Sequence, residues 1–577
     1  MLTESDEDIP PPKMLRGRGG QAGGRVRGQR IRGRGRPGRG CGRTACETRQ
    51  AGTSASAQAA GDVTDETWTE VDAAPQQFSF IGDPGVKISL SDWTSPYAIF
   101  RLFFTASLID MIVLETNRYA AEMLPKTKTA WFDVTADDIM CFLALFILMG
   151  NIRKPKMQSY WSTDAMIAIP FFGTVMARNR FFAILKFLHF VDNSAAGNAA
   201  NDDRLRKIRP VVEHLRGMFQ SVFMPYQYVS VDESLLLWKG RLGWKQYIPK
   251  KRSRFGIKTY ELCDSITGYL WNFSVYTGKA MASAASDLSS SSQIVIDLMA
   301  GLLNKGHCVI TDNFYTCPAL FQSLITHKTD AFGTVRLHRK GMPSALKKAK
   351  LKKGETKFRR SGKLLAISWH DKRQVSMLST LHDGSIVQTL KTDRDGNAIW
   401  KPNVVLEYNK YMGGVDKLDQ MIEPYISTRK TLKWYKKFFS HLLDISIYNA
   451  FVLFKITNPD SKSTLLSFRS ELVEGIITAH HNGRRQYGGR PSGSGDMPAR
   501  LTDRHFPSYI PPTASRQDPK RECRVCGASK RDGHRLRKQT RFMCAPCGSV
   551  ALCVVPCFRQ YHTLVNYEHE NSSSDDD

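Results

Sequence analysis

Three aspartates stand in apolar surroundings, where a carboxylate is costly unless it meets a cation or hydrogen-bond donors. Asp232 closes the β-forming run Gln227–Val231, and Asp312 closes the short apolar run His307–Thr311. Asp416 follows Gly413-Gly414-Val415 at an expected helix start, with Asp419 one turn later. Taken singly, each is a turn or cap residue. Brought together, Asp232, Asp312 and Asp416 make an oxygen cage with room for two divalent cations, such as Mg²⁺, flanking one phosphate. In such a cage one cation activates a water or a 3′-hydroxyl, and the other stabilises the leaving oxygen. Glu233 alternates to the opposite face of the strand and is left out of the cage. Asp419 either faces the same metal or complements the helix N-terminus.

A second ligand set lies near the C-terminus. Cys523-x2-Cys526 and Cys544-x2-Cys547, seventeen residues apart, are followed by Cys553-x3-Cys557 and His562. Each knuckle presents two thiolates at a spacing that suits tetrahedral zinc. Seven ligands fit either one Zn²⁺ on the knuckles or two with an eighth ligand, such as His534. Lys530, Arg531, Arg535, Arg537, Lys538 and Arg541 lie between the knuckles, which favours DNA contact over a purely protein-facing role.

The rest of the chain must position these groups. Its 577 residues carry a net charge of +28, which calls for a polyanionic partner, either nucleic acid or an anionic membrane. The longest apolar run, Ile139–Met149, is too short to cross a bilayer. Met1–Pro12 is acidic and prolyl, so no secretory signal is expected. These features favour nucleic acid and no membrane. They also favour metal over disulfides for the six cysteines between Cys523 and Cys557.

Residues 1–80 read as disordered, with an Arg-Gly tract from Arg16 to Arg43 that serves nucleic-acid binding, solubility or nuclear import. A helical pattern follows to Met224, including a helix begun by Thr135 and ended by Gly150. Arg178, Arg180, Lys186, Arg204, Arg206, Lys207 and Arg209 offer either a DNA-facing or a solvated surface. Lys239–Arg254 is a basic hairpin interleaved with aromatics. Strands at Ile257–Asp264 and Gly268–Tyr276, a helix at Ser291–Asn304 and the Asp312 strand give an α/β order, with a ligand site at strand carboxyl ends. A lysine-rich, β-rich insertion, a long helix from Lys433 and a polar linker complete the chain.

With these residues assembled, the chain resembles the piggyBac transposases and genes derived from them. The resemblance rests on Val231-Asp-Glu-Ser with Leu242–Tyr247, Thr311-Asp-Asn-Phe-Tyr and Gly333-Thr-Val-Arg. It continues through Tyr408-Asn-Lys-Tyr-Met-Gly-Gly-Val-Asp-Lys-Leu-Asp-Gln, Trp434-Tyr-Lys-Lys-Phe-Phe and Cys553-Val-Val-Pro-Cys-Phe-Arg-Gln-Tyr-His-Thr. It implies that Asp232, Asp312 and Asp416 are the catalytic triad and Asp419 the additional acid nearby. The implied fold is a ribonuclease H-like core over residues 228–338 and 401–425, interrupted by an insertion at 339–400. A helical dimerisation and DNA-binding domain is implied over 81–227 and 426–504. A linker at 505–521, a zinc module resembling the family's cross-brace domain at 522–567 and an acidic tail at 568–577 follow.

The function so implied is cut-and-paste transposition in the nucleus by a homodimer. It acts on inverted repeats of double-stranded DNA by Mg²⁺-dependent nicking, hairpin formation and strand transfer at TTAA. A domesticated DNA-binding protein that no longer moves DNA is the alternative. A RING-like ubiquitin-ligase module would use the same cysteines but is disfavoured by the basic zinc region.

Overall fold

The computed structural model describes residues 67–564 and 567, apart from 74, 128, 195–202, 250, 252, 279–287, 393–395, 428–430, 482–500, 502–504, 529, 532, 533, 536, 565 and 566. The Arg-Gly tract, the stretch 568–577 and the side chains of Lys530, Arg531, His534 and Arg535 lie outside the described residues.

The centre is one mixed sheet. Tyr228–Leu237 (β1), Phe255–Asp264 (β2) and Leu270–Val275 (β3) form an antiparallel meander. Cys308–Thr311 (β4) then pairs parallel to β1, and Asp330–Thr334 (β5) pairs parallel to β4. The order in space is β3-β2-β1-β4-β5. The parallel strands are reached through helices Ser290–Met299 (α5) and Pro318–Thr326 (α6), because a parallel connection needs a crossover longer than a hairpin. In the middle of the sheet, Val229, Val231, Val309 and Ile310 are fully buried, as expected for β-branched residues covered on both faces.

The stretch expected to be an insertion is mostly sheet. Thr356–Ser361 (β6), Leu364–His370 (β7) and Gln374–Ser379 (β8) extend the sheet from β5 in the order β8-β7-β6. Strands were expected here, but they join the central sheet rather than standing apart, and Leu365, Ile367 and Met377 pack with Phe332 in one core cluster. The hairpin Ile386–Thr392 (β9) and Ala398–Pro402 (β10) forms a separate two-stranded sheet. Order also begins earlier than residue 81. Trp68 is buried, Thr69 bridges Arg360 on the outer strand β6, and Asp72 pairs with the Arg360 guanidinium at 3.2 Å. This contact covers part of an edge that would otherwise offer unpaired backbone groups.

Helices Ala106–Met123 (α1), Ala136–Asn151 (α2), Arg178–Phe187 (α3), Arg209–Val222 (α4), Trp434–Thr457 (α9) and Leu465–His480 (α10) form the helical part. α2 starts at Thr135 as expected, through a capping box in which Thr135 Oγ1 accepts from the Asp138 N–H at 3.2 Å. Gly150 lies inside α2 rather than ending it. A Cβ there would collide with the Tyr425 carbonyl and stand 2.7 Å from Arg469 Nη2. α9 has the length and composition of a membrane span, but 89% of its apolar window is buried inside the protein. Of the cations offered to DNA by the sequence, Arg180 is paired with Asp138 at 2.9 Å and Arg209 with Asp203. Those two serve the fold.

Arg469 ties this part together. It is 2% exposed and meets Asp444 at 3.4 Å, the Tyr425 carbonyl at 3.1 Å and the Ile147 carbonyl at 3.2 Å. Burial pushes the Asp444 carboxyl up to about 6, opposed by Arg469 and by two hydrogen bonds from Ser427. Arg469→Met should therefore cost about 3–5 kcal/mol by stranding a buried acid. Adding Asp444→Leu should recover much of that loss. Urea unfolding of both variants measures this.

Candidate acid cluster and zinc centres

β1 and β4 set the acid cluster. Their parallel register pairs Val231 with Thr311, so the next residues, Asp232 and Asp312, leave adjacent strands at the same level. Asp232 is not at the end of its strand, as the sequence implied. β1 continues to Leu237 on the strength of its pairing with β2 alone. Asp312 opens a turn whose Phe314 N–H donates to Asp312 Oδ1 at 2.8 Å.

The third acid arrives on the helix pair Asn403–Tyr411 (α7) and Gly414–Ile422 (α8). Tyr411 stacks on Tyr228 of β1 with ring centroids 4.1 Å apart. Gly414 then lets α8 press on the sheet, since a Cβ there would overlap Ser230 Oγ and stand 3.0 Å from the Asp264 carbonyl. The Gly-Gly step thus serves close approach. Asp416 is exposed in the first turn of α8. Asp419 faces β1, where Ser234 Oγ donates to its two oxygens at 2.9 and 3.1 Å. Ser234 shares the face of Asp232, two residues away. Gly414→Ala should shift α8 and lower any activity of this site by about 100-fold, the scale of a 1 Å misplacement. Circular dichroism and cleavage rates on the same sample separate that effect from unfolding.

The electrostatics belong to a crowd of carboxylates. Burial, followed by Glu233 and Asp312, pushes Asp232 up to about 7 against the pull of Lys251. Burial and Glu233 also raise Asp312, while burial and Asp416 raise Asp419. Burial, helped by the charges of Asp312, Asp232 and Asp416, pushes the Tyr408 phenol up to about 12. Glu233 points to the other side of β1, 3.8 Å from Lys258 Nζ.

Glu261 escaped sequence reasoning. It pairs with Asp232 across β1 and β2, is 1% exposed and is raised by burial and by Asp419. Its Oε1 accepts from Thr259, and its Oε2 meets no hydrogen-bond partner among the described residues. An acid set between Tyr260 and Leu262, inside an expected strand, was the available signal. An all-oxygen donor set with excess negative charge fits a hard divalent cation. The acids are nonetheless spread more widely than zinc ligands. Among the described residues, sets of three or more ligand side chains within 4.8 Å of one another occur only in the C-terminal module.

That module holds two clusters. Cys523, Cys526, Cys553 and Cys557 form one, and His505, Cys544, Cys547 and His562 form the other. The pairs interleave along the chain, so each centre ties together distant segments. His505 Nδ1 lies 3.4 Å from both Cys544 Sγ and Cys547 Sγ, and His562 Nε2 lies 3.5 Å from Cys547 Sγ. His562 Nδ1 meets the Phe558 carbonyl at 2.7 Å, which turns Nε2 inward. Four soft or borderline donors per cluster fit tetrahedral Zn²⁺. The fourth position in the second cluster, which the spacing offered to His534, is taken by His505.

His505 falls in the expected linker, 505–521. Part of that stretch belongs to the module, because Ser508–Tyr509 (β11) pairs with Phe542–Cys544 (β12), which pairs in turn with Val550–Ala551 (β13). The apolar pair Tyr509-Ile510 in a polar stretch was the sequence signal for it.

Comparison with known proteins agrees with this architecture. The family model described as Transposase IS4 matches residues 95–451, and a DDE_Tnp_1-like zinc finger matches residues 512–563. Human PiggyBac transposable element-derived protein 2 is 29% identical, over 70% of this chain and 69% of its own length. Human PiggyBac transposable element-derived protein 3 is 27% identical, over 81% of this chain and 76% of its own. A piggyBac transposase synaptic complex with hairpin DNA superposes with a TM-score of 0.62 at 25% identity, over 69% of this chain and 84% of that one. The chain belongs to the piggyBac branch of the IS4 transposase family.

Proposed function

We propose that this chain is a DNA transposase whose Asp232, Asp312 and Asp416 hold two Mg²⁺ ions against a scissile phosphate. The observation that carries the reading is the in-register adjacency of Asp232 and Asp312, with α8, which carries Asp416 in its first turn, pressed onto β1 through Gly414. We read the sheet as the ribonuclease H-like core implied by the resemblance: an antiparallel meander followed by two parallel crossover strands. Bound Mg²⁺ would supply Lewis-acid activation of the attacking hydroxyl and neutralise charge on the leaving oxygen.

The chain's own groups do the rest. Ser234 fixes Asp419 behind the triad. Lys251, whose Nζ donates to the Glu233 carbonyl at 2.8 Å, carries positive charge to the acids from the basic hairpin. Nicking frees a 3′-hydroxyl, which attacks the opposite strand to give a hairpin on a TTAA overhang. Hairpin opening and transfer into a new TTAA follow, and each is an in-line displacement at phosphorus that one site can serve. On the same resemblance the zinc module reads transposon ends, the working form is a homodimer and the location is the nucleus.

The test is a labelled duplex carrying the TTAA-bounded repeats that flank the native gene. With Mg²⁺ the full chain should yield nicked and hairpin products on a denaturing gel. DNA that is bound specifically but left uncut would favour the domesticated alternative.

A further inference from the structure

The start of α9 runs against helix electrostatics. A helix N-terminus carries partial positive charge and is stabilised by acids. α9 opens Trp434-Tyr435-Lys436-Lys437 behind Lys433, with no acid in its first turn and no side-chain cap. Lys436 is 8% exposed, its Nζ donating to the carbonyls of Leu185 and Lys186 at 2.7 and 2.8 Å. Burial, with Lys433 beside it, pushes this amine down to about 7. Such an accumulation of positive charge is destabilising unless an anion meets it.

The same lysines border a cavity of about 290 Å³, walled by Tyr119, Phe142, Phe146, Leu185, Leu188 and Phe439. Voids larger than a water molecule are few in a domain, and this one is bordered by Lys186, Lys433, Lys436 and Lys437. Apolar and aromatic walls suit the face of a nucleobase. Lysines and free N–H groups at a helix start suit its phosphate. The rim also connects to the acid cluster. Trp434 packs edge-on against Trp244 of the basic hairpin at 5.2 Å, and Lys251 of that hairpin reaches the Glu233 carbonyl beside Asp232.

We propose that this cavity receives an unpaired nucleobase of bound DNA, with the flanking phosphates held by Lys433 and Lys437 at the start of α9. A duplex keeps its bases stacked, so the site selects DNA that has been opened or looped. The inference rests on the DNA-processing reading above, and its test has a separate readout.

The full chain is titrated with two duplexes of equal length, one fully paired and one carrying a single unpaired 2-aminopurine. The unpaired probe should bind about tenfold tighter, equivalent to ~1.4 kcal/mol, and its fluorescence should be quenched. Leu185→Trp, which fills the cavity, should erase both effects while binding the paired duplex as wild type does. The double variant Lys433→Gln/Lys437→Gln, at partly exposed positions, should erase them as well and covers the case in which Leu185→Trp misfolds. Equal binding of the two probes by wild type overturns the inference, and so does a preference that survives in the folded variants. Quenching of free 2-aminopurine deoxynucleotide as strong as that of the unpaired probe also overturns it, by assigning the cavity to small nucleotides. Failure to bind even the paired duplex would sink the DNA reading itself.

Discussion

Replacing Asp232, Asp312 or Asp416 with alanine is expected to lower Mg²⁺-dependent DNA cleavage by on the order of a thousandfold or more. Metal stabilisation of a phosphoryl transition state supplies several kcal/mol, and each 1.36 kcal/mol is a factor of ten in rate. Folding should not suffer. Asp232 is held near 7 by burial and by neighbouring acids, so Asp232→Asn removes a charge the fold already resists and should leave the melting temperature unchanged or higher. Asp419→Ala should act differently, since Ser234 anchors it rather than leaving it open to a substrate. A partial loss there, with DNA binding retained in all four variants, would separate the triad from its support. Cleavage assays and filter binding on the same preparations read both quantities.

The second large effect concerns zinc. The full chain should carry two Zn²⁺, one per Cys/His cluster. His505→Ala should leave one and release Ser508–Tyr509 (β11) from β12 beside the second cluster. Structural zinc in small modules contributes about 10–16 kcal/mol of apparent binding free energy, so chelation should melt the module outright. A fragment of residues 518–567, close to the module expected from cysteine spacing alone, lacks His505 and should hold one ion firmly. A fragment of residues 505–567 should hold two. Elemental analysis finding equal zinc in the two fragments would remove His505 from the ligand set.

These residues also mark what the sequence made legible. Asp232 and Asp312 stood out because an acid in an apolar β-run demands an explanation, and the structure puts them side by side. What the run could not reveal was where each strand stops. β1 continues past Asp232 because β2 supports it, a tertiary fact invisible in Gln227–Val231. Gly413-Gly414 announced a special backbone, but its purpose, contact with Ser230 and Asp264, depends on a partner nearly two hundred residues away. Lysine-rich β6–β8 looked like a separate insertion because charge on one face masks membership of a sheet. Trp68–Asp72 looked disordered for the opposite reason: a short polar stretch is ordered only by the edge it covers. Spacing gave the two knuckles, then Cys553, Cys557 and His562. His505 lay thirty-nine residues before its partner Cys544 and obeyed no spacing rule.

The most direct measurement of the central claim is the count of Mn²⁺ bound by the zinc-loaded full chain with cleavage-blocked end DNA, read by electron paramagnetic resonance. The account predicts bound Mn²⁺ in wild type, with at least one ion lost in each of Asp232→Ala, Asp312→Ala and Asp416→Ala. Unchanged Mn²⁺ stoichiometry and affinity across the three variants would contradict it.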